Sequence, residues 1–182
     1  MEIKHVKLRD YLTGADRDKV DFVLQYGDFK PVDLFKIGDI LDATFGFVKG
    51  AQEAINYGTM TWEKYISLLT DHRGLKESHI YAKSVYRLMG SQLWLKEAIE
   101  TVNELESDNL GGTPKPDEIA AGVDRFNKFK TFPQFDSLAG GDVLKYEQIE
   151  KLPYSICFTK LMLEAERAEY NEALTRIRSE KE

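Results

Sequence analysis

Residues Ser78–Glu106 read SHIYAKSVYRLMGSQLWLKEAIETVNELE, and this stretch decides the fold class. Tyr81, Val85, Leu88, Gln92, Leu95, Ile99 and Val102 follow one another at alternating spacings of four and three. That is the heptad seam of helices packed side by side. The spacing predicts one long helix over 78–106. Tyr86, Met89 and Leu93 form a second apolar line, so the middle of the helix is expected to be covered on two sides. Gln92 is the polar residue of the seam, and it either sets register or sits at a wet spot.

Helical patterning continues in both directions. Upstream, a short segment at Leu8–Leu12 precedes a helix expected over Lys19–Tyr26, with a short strand open at Ile3–Val6. Asp33 is a candidate N-cap for a helix carrying Leu34, Ile37, Leu41, Phe45, Val48 and Ile55, with a kink or break near Gly46. Thr61 caps Trp62–Thr70. Downstream, Ser107–Pro116 holds two glycines and two prolines and cannot continue a helix. Asp117 caps a short helix to Val123, and Asp142 caps Val143–Lys151. A second long helix over 154–178 starts at Pro153, whose fixed φ suits a first turn. Its first half is apolar nearly all round (Tyr154 to Leu163), and its second half is charged around a thin stripe that includes Tyr170, Leu174 and Ile177. The expectation is an all-α, irregular helical bundle with two long helices, 78–106 and 154–178, and several short ones. An N-terminal helical part (1–106), a Gly/Pro loop (107–116) and a C-terminal helical part (117–182) pack together as one domain.

Composition narrows the classes of function. The chain has 182 residues, 42% hydrophobic and 31% charged, an ordinary globular balance that excludes wholesale disorder. Its single cysteine, Cys157, excludes an internal disulfide and a cysteine-rich zinc site. No apolar run approaches the ~20 residues that cross a membrane, and the N-terminus lacks the apolar stretch of a secretory signal. A formal net charge of -6 makes duplex nucleic acid an unfavourable partner, because cation–phosphate contacts supply most of that affinity.

Groups that could carry chemistry are sparse. Asp71, His72, Glu77 and His79 lie near one another in sequence, but a seven-residue separation across Gly74 is no established metal spacing. Cys157 sits in the most apolar part of the chain, where a thiol is an inert small hydrophobe with a raised pKa. No phosphate-binding glycine loop, dinucleotide fingerprint or nucleophile elbow occurs. No cofactor, metal or catalytic residue is assigned, and the chain reads as a non-enzyme.

The most unusual segment lies between Arg125 and Phe135, RFNKFKTFPQF, with phenylalanine at 126, 129, 132 and 135. In an α-helix a spacing of three drifts about 60° per step, so four rings would spiral rather than share a face. Pro133 argues against a continuous helix. Burial of most of these rings between the long helices is the expectation, at ~1.5–3 kcal/mol per ring. Exposed rings anchoring a partner protein are the second reading, and stacking on single-stranded bases is the third. Arg125, Lys128 and Lys130 are the segment's charges. They offer a counterpart to Glu104, Glu106 and Asp108, which crowd a helix C-terminus where negative charge costs ~0.3–1 kcal/mol each. The residues assigned to partner contact are Phe126, Phe129, Phe132, Phe135, Arg125, Lys128 and Lys130, with Tyr170 and Ile177 on the last helix.

Three stretches of the C-terminal third, Ala121–Phe126 (AGVDRF), Leu138–Glu147 (LAGGDVLKYE) and Leu152–Leu161 (LPYSICFTKL), resemble small helical proteins encoded among tailed-bacteriophage virion and tail-assembly genes. The resemblance implies a structural or assembly role in a phage particle, with other protein subunits as partners, by self-association or with virion proteins. It places the protein in the virion or the host cytoplasm. The alternative is a transient helical adaptor or assembly chaperone in the cytoplasm.

Overall fold

The computed structural model describes residues 6–14, 29–111 and 116–180, and it is all-helical. The α-helices among these residues are α1 (Leu8–Leu12), α2 (Phe45–Asn56), α3 (Trp62–Arg73), α4 (Glu77–Tyr81), α5 (Val85–Leu110), α6 (Pro116–Ala121), α7 (Phe132–Ala139), α8 (Tyr146–Glu150) and α9 (Tyr154–Ser179). Short 3₁₀ turns occupy Ile40–Asp42, Val123–Phe129 and Val143–Lys145. The expected class is the one found, with α5 and α9 as the two long helices. The helix expected over 19–26 and positions 3–5 of the expected strand lie outside the described residues.

Two isolated antiparallel bridges organise the helix starts, Lys7 with Ser84 and Thr44 with Pro153. The first N–H groups of a helix have no partner inside it. At the second bridge, Phe45 N–H, which opens α2, donates to Leu152 C=O (2.7 Å), and Tyr154 N–H, which opens α9, donates to Ala43 C=O (2.8 Å). The first bridge repeats the device. Val85 N–H, opening α5, donates to Val6 C=O (2.8 Å), and Leu8 N–H, opening α1, donates to Lys83 C=O (3.0 Å).

This pairing corrects the helix expected over 78–106. The chain leaves helical geometry after Tyr81, and Ser84 takes an extended conformation (φ -70, ψ 143) so that Val85 can reach Val6. Ser84 Oγ then caps α5 by accepting from Arg87 N–H (3.4 Å). The long helix is therefore Val85–Leu110 and runs past Glu106. The seam holds within it: Val85, Leu88, Leu95, Ile99 and Val102 are buried, while Gln92 is half-buried beside an open apolar groove shared with Met89 and Leu93.

The helix expected to begin after Asp33 also breaks. Asp33 accepts from Ile37 N–H and Gly38 N–H (both 2.8 Å), closing a local turn instead of capping a helix. Thr44 caps α2 through Phe47 N–H (3.4 Å). Thr61 caps α3 as expected, accepting from Lys64 N–H (3.2 Å), and α3 extends to Arg73. Asp142 accepts from Leu144 N–H (3.1 Å), but the helix after it divides into the Val143–Lys145 turn and α8. One cluster of buried side chains, running from Leu8 to Leu161, draws on residues before and after the Gly/Pro loop.

Gly46 and Gly50 do not break α2. They let neighbours approach: a Cβ on Gly46 would lie 2.7 Å from the His72 ring, and one on Gly50 would lie 2.7 Å from a Leu68 methyl. Gly90 in α5 does the same for the segment Lys30–Val32 that crosses it, since its Cβ would meet the Lys30 carbonyl oxygen at 2.6 Å while its own carbonyl accepts from Val32 N–H (3.0 Å).

The two glycines should respond differently to substitution. Gly→Ala in a helix interior gains ~0.8–1 kcal/mol of propensity. Gly50→Ala displaces only the end of a flexible leucine, so it should leave stability within about 1 kcal/mol. Gly90→Ala pushes on backbone and should destabilise by ~1–3 kcal/mol. Urea midpoints at constant m measure both, and equal effects would contradict this account of the Gly90 crossing.

Candidate docking site

The phenylalanine segment is two short elements joined at a turn. Phe126 and Phe129 lie in the 3₁₀ run Val123–Phe129, where three residues make one turn and positions i and i+3 eclipse. Spacing by three, which spirals on an α-helix, aligns these rings. Lys130 then takes φ 54, an uncommon conformation for a non-glycine residue, and turns the chain into α7, with Pro133 in its first turn. Phe132 and Phe135 belong to α7.

Burial of most of the rings is not what is found. Phe126, Phe129 and Phe132 are 55%, 47% and 49% exposed. Only Phe135 reaches the core, meeting the Phe45 ring edge-on at a centroid distance of 4.9 Å. Phe132 leans edge-on against Tyr146 at 5.3 Å, and Tyr146 donates its hydroxyl to Asp136 (2.8 Å). Phe129, Phe132, Phe135 and Tyr146 together line an open aromatic hollow of about 360 Å³, flanked by Glu53 and Glu150.

The basic residues do not meet Glu104–Asp108, correcting the expected pairing. Arg125 turns back to hydrogen-bond the Gly122 and Ala121 carbonyls at the end of α6. Lys128 lies over the Phe129 ring (5.0 Å). Lys130 pairs with Glu53 (2.6 Å) and sits over Tyr57 (4.8 Å). The Glu53 hydrogen bond raises the ammonium's pKa, with burial opposing.

Behind that ion pair lies a second, polar cleft of about 280 Å³. Its floor is a network that ties α2 to the last turns of α5. Lys49, 2% exposed, donates to Glu106 and to Gln52 Oε1 (2.8 Å). Gln52 Nε2 donates to Glu106 Oε2 (2.8 Å) and Asn103 Oδ1 (2.7 Å). Tyr154, at the start of α9, donates to Glu106 Oε1 (2.6 Å). The ammonium also lies 5.7 Å from both the Phe45 and Tyr154 ring centres. Burial lowers the Lys49 pKa, and the Glu106 charge and hydrogen bond oppose this. Burial, followed by donation to Glu106, pushes the Tyr154 hydroxyl up. At the cleft wall, Gln134 Oε1 is shut off from solvent without a donor.

Glu106, Lys49, Gln52 and Asn103 were missed as a group by sequence reasoning. The signal is a polar stripe (49, 52, 53, 56) on an otherwise apolar helix, matched by 103 and 106 on α5. Of the other expected residues, Tyr170 and Ile177 lie on α9, 66% and 47% exposed. Cys157 is 2% exposed, and burial raises its thiol pKa to about 11. His72 packs on Gly46 and Phe47, and Asp71 accepts from Ser67 and Thr70. Among the described residues, no helix is long and apolar enough to cross a membrane. No family model matches the chain, and no curated protein or solved structure is similar to it.

Two outcomes test this arrangement. Glu106→Gln leaves Lys49 buried without its counter-charge and should destabilise by about 3 kcal/mol, whereas Lys49→Met with Glu106→Gln should recover most of that loss. Equal instability of the single and double variants in urea would contradict the pairing. Cys157 should resist a thiol-reactive probe at pH 8 in the native protein and react fully in urea, because almost no thiolate forms and the sulfur is covered.

Proposed function

We propose that the chain is a non-enzymatic protein–protein interaction component of a larger assembly, which docks a partner subunit on the Phe126–Phe135 face. The supporting observation is where its apolar side chains are spent. Of the 14 large hydrophobic residues exposed among the described residues, all but Leu12, Val32 and Tyr57 fall between Ile119 and Ile177. Exposed rings clustered around a hollow are the form that interface anchors take, since covering the half of each ring still exposed contributes ~1 kcal/mol. A virion or tail-assembly setting is the form of this role that the resemblance of the C-terminal third supports.

Phe129→Ser with Phe132→Ser should keep the helicity and cost ~1–3 kcal/mol in urea, because each ring is already about half buried. The same variant should lose co-elution with products of neighbouring genes in size-exclusion chromatography with light scattering. A wild-type chain that co-elutes with none of them, or a variant that co-elutes as well as wild type, would sink the reading.

A further inference from the structure

Given the docking reading, on which this step rests, the chemistry of the aromatic hollow narrows what a partner can place there. Phe129, Phe132, Phe135 and Tyr146 line it. Phe132 and Phe135 stand at 71° and 44° to Tyr146, so the rings form walls rather than a stack. A ring face attracts a cation that comes within about 6 Å of its centre. Phe129 already holds one, since Lys128 lies 5.0 Å from its centroid without lining the hollow.

The charges around the hollow leave one carboxylate over. Every cation on the elements that build it, and at their flanks, is engaged. Lys130 pairs with Glu53, Lys145 with Asp142 and Lys151 with Glu147. Arg125 hydrogen-bonds the carbonyls at the end of α6, Lys128 lies over Phe129, and Lys49 is buried against Glu106. Of the acids, Asp136 accepts from Tyr146, and neither Asp124 nor His72 lines the hollow. Glu150 does line it and is exposed, and among the described residues no hydrogen bond or ion pair reaches its carboxylate. An apolar side chain filling the hollow would cover Glu150 without a counter-charge, and an acidic one would repel it. An arginine suits rings and carboxylate together, because its planar guanidinium stacks on aromatic faces while its N–H fork meets a carboxylate. We infer that the hollow receives an arginine side chain of the partner subunit, its guanidinium lying among Phe129, Phe132 and Tyr146 and hydrogen-bonded to Glu150. The chain's net charge of -6 favours the approach of such a basic partner.

The probe is acetyl-Gly-Arg-Gly amide titrated into the full chain, with the norleucine peptide as uncharged control and the lysine peptide as a second cation. Aromatic-ring NMR signals of Phe129, Phe132 and Tyr146 should shift saturably with the arginine peptide, less with lysine and not with norleucine. Glu150→Gln, a change at an exposed position whose fold circular dichroism checks, should weaken the arginine peptide by at least about threefold. Norleucine binding as tightly as arginine, or an affinity unchanged in Glu150→Gln, would overturn the inference, and lysine matching arginine would overturn the choice of cation. An arginine peptide that fails to bind also overturns it. The docking face still stands in that case if the wild-type chain co-elutes with a partner that Phe129→Ser/Phe132→Ser loses. Arginine binding by a chain with no co-eluting partner overturns the docking reading instead and leaves the hollow's preference for arginine in place.

Discussion

The structure depends on an exchange of main-chain hydrogen bonds at helix starts. A helix N-terminus presents N–H groups that its own carbonyls cannot satisfy, and burying them unpaired costs ~1–3 kcal/mol each. At Thr44–Pro153 the opening N–H of α2 and that of α9 are each taken by the segment preceding the other helix. At Lys7–Ser84 the same exchange joins α1 and α5. Each bridge therefore solves two buried-donor problems and sets where two distant helices begin. With the origins of α2, α5 and α9 anchored, their apolar faces can converge on one core.

The second constraint acts at the other end of α5. Lys49 and Glu106 are 57 positions apart, and they meet inside the molecule with Tyr154 joining them. A buried ion pair is weak support for stability by itself, because desolvation of both charges opposes their attraction. Its value here is specificity. Glu106 accepts from Lys49, Gln52 and Tyr154, so α2, α5 and α9 must meet in one register for the carboxylate to be satisfied. The arrangement also corrects a charge imbalance, since Glu106 near the end of α5 gains a cation from α2 instead of from the 125–130 segment.

Freed from that task, the 125–130 segment folds on itself and on α2. Arg125 closes the end of α6, Lys130 pairs with Glu53, and the rings between them are left facing outward. The C-terminal third thus contributes less to the core than its aromatic content suggests, and much of its apolar surface stays exposed. The aromatic hollow is concave and built from rings on three elements, while Ile156, Leu163, Tyr170 and Ile177 are exposed along α9.

Local patterns were read reliably where they are self-contained. Thr61 before α3, Pro153 before α9 and the apolar seam of α5 depend on residues within a few positions, and periodicity exposes them. The split of 78–106 at Ala82–Ser84 was invisible, because its cause is Val6, nearly 80 positions away. Gly46 reads as a kink or break, and only the neighbours crowding it show that it is a contact point. Spacing by three among the phenylalanines was plain, but its meaning turned on 3₁₀ or α geometry, which a positive φ at Lys130 and a proline in α7 decide together. The sequence by itself determined that the chain is helical, how many apolar faces it offers and where its polar stripes fall, because those follow from side-chain order along a regular backbone. Which faces were buried, which charges met and which rings stayed in water were decided only by tertiary structure, because each depends on the competition of distant segments for the same surface.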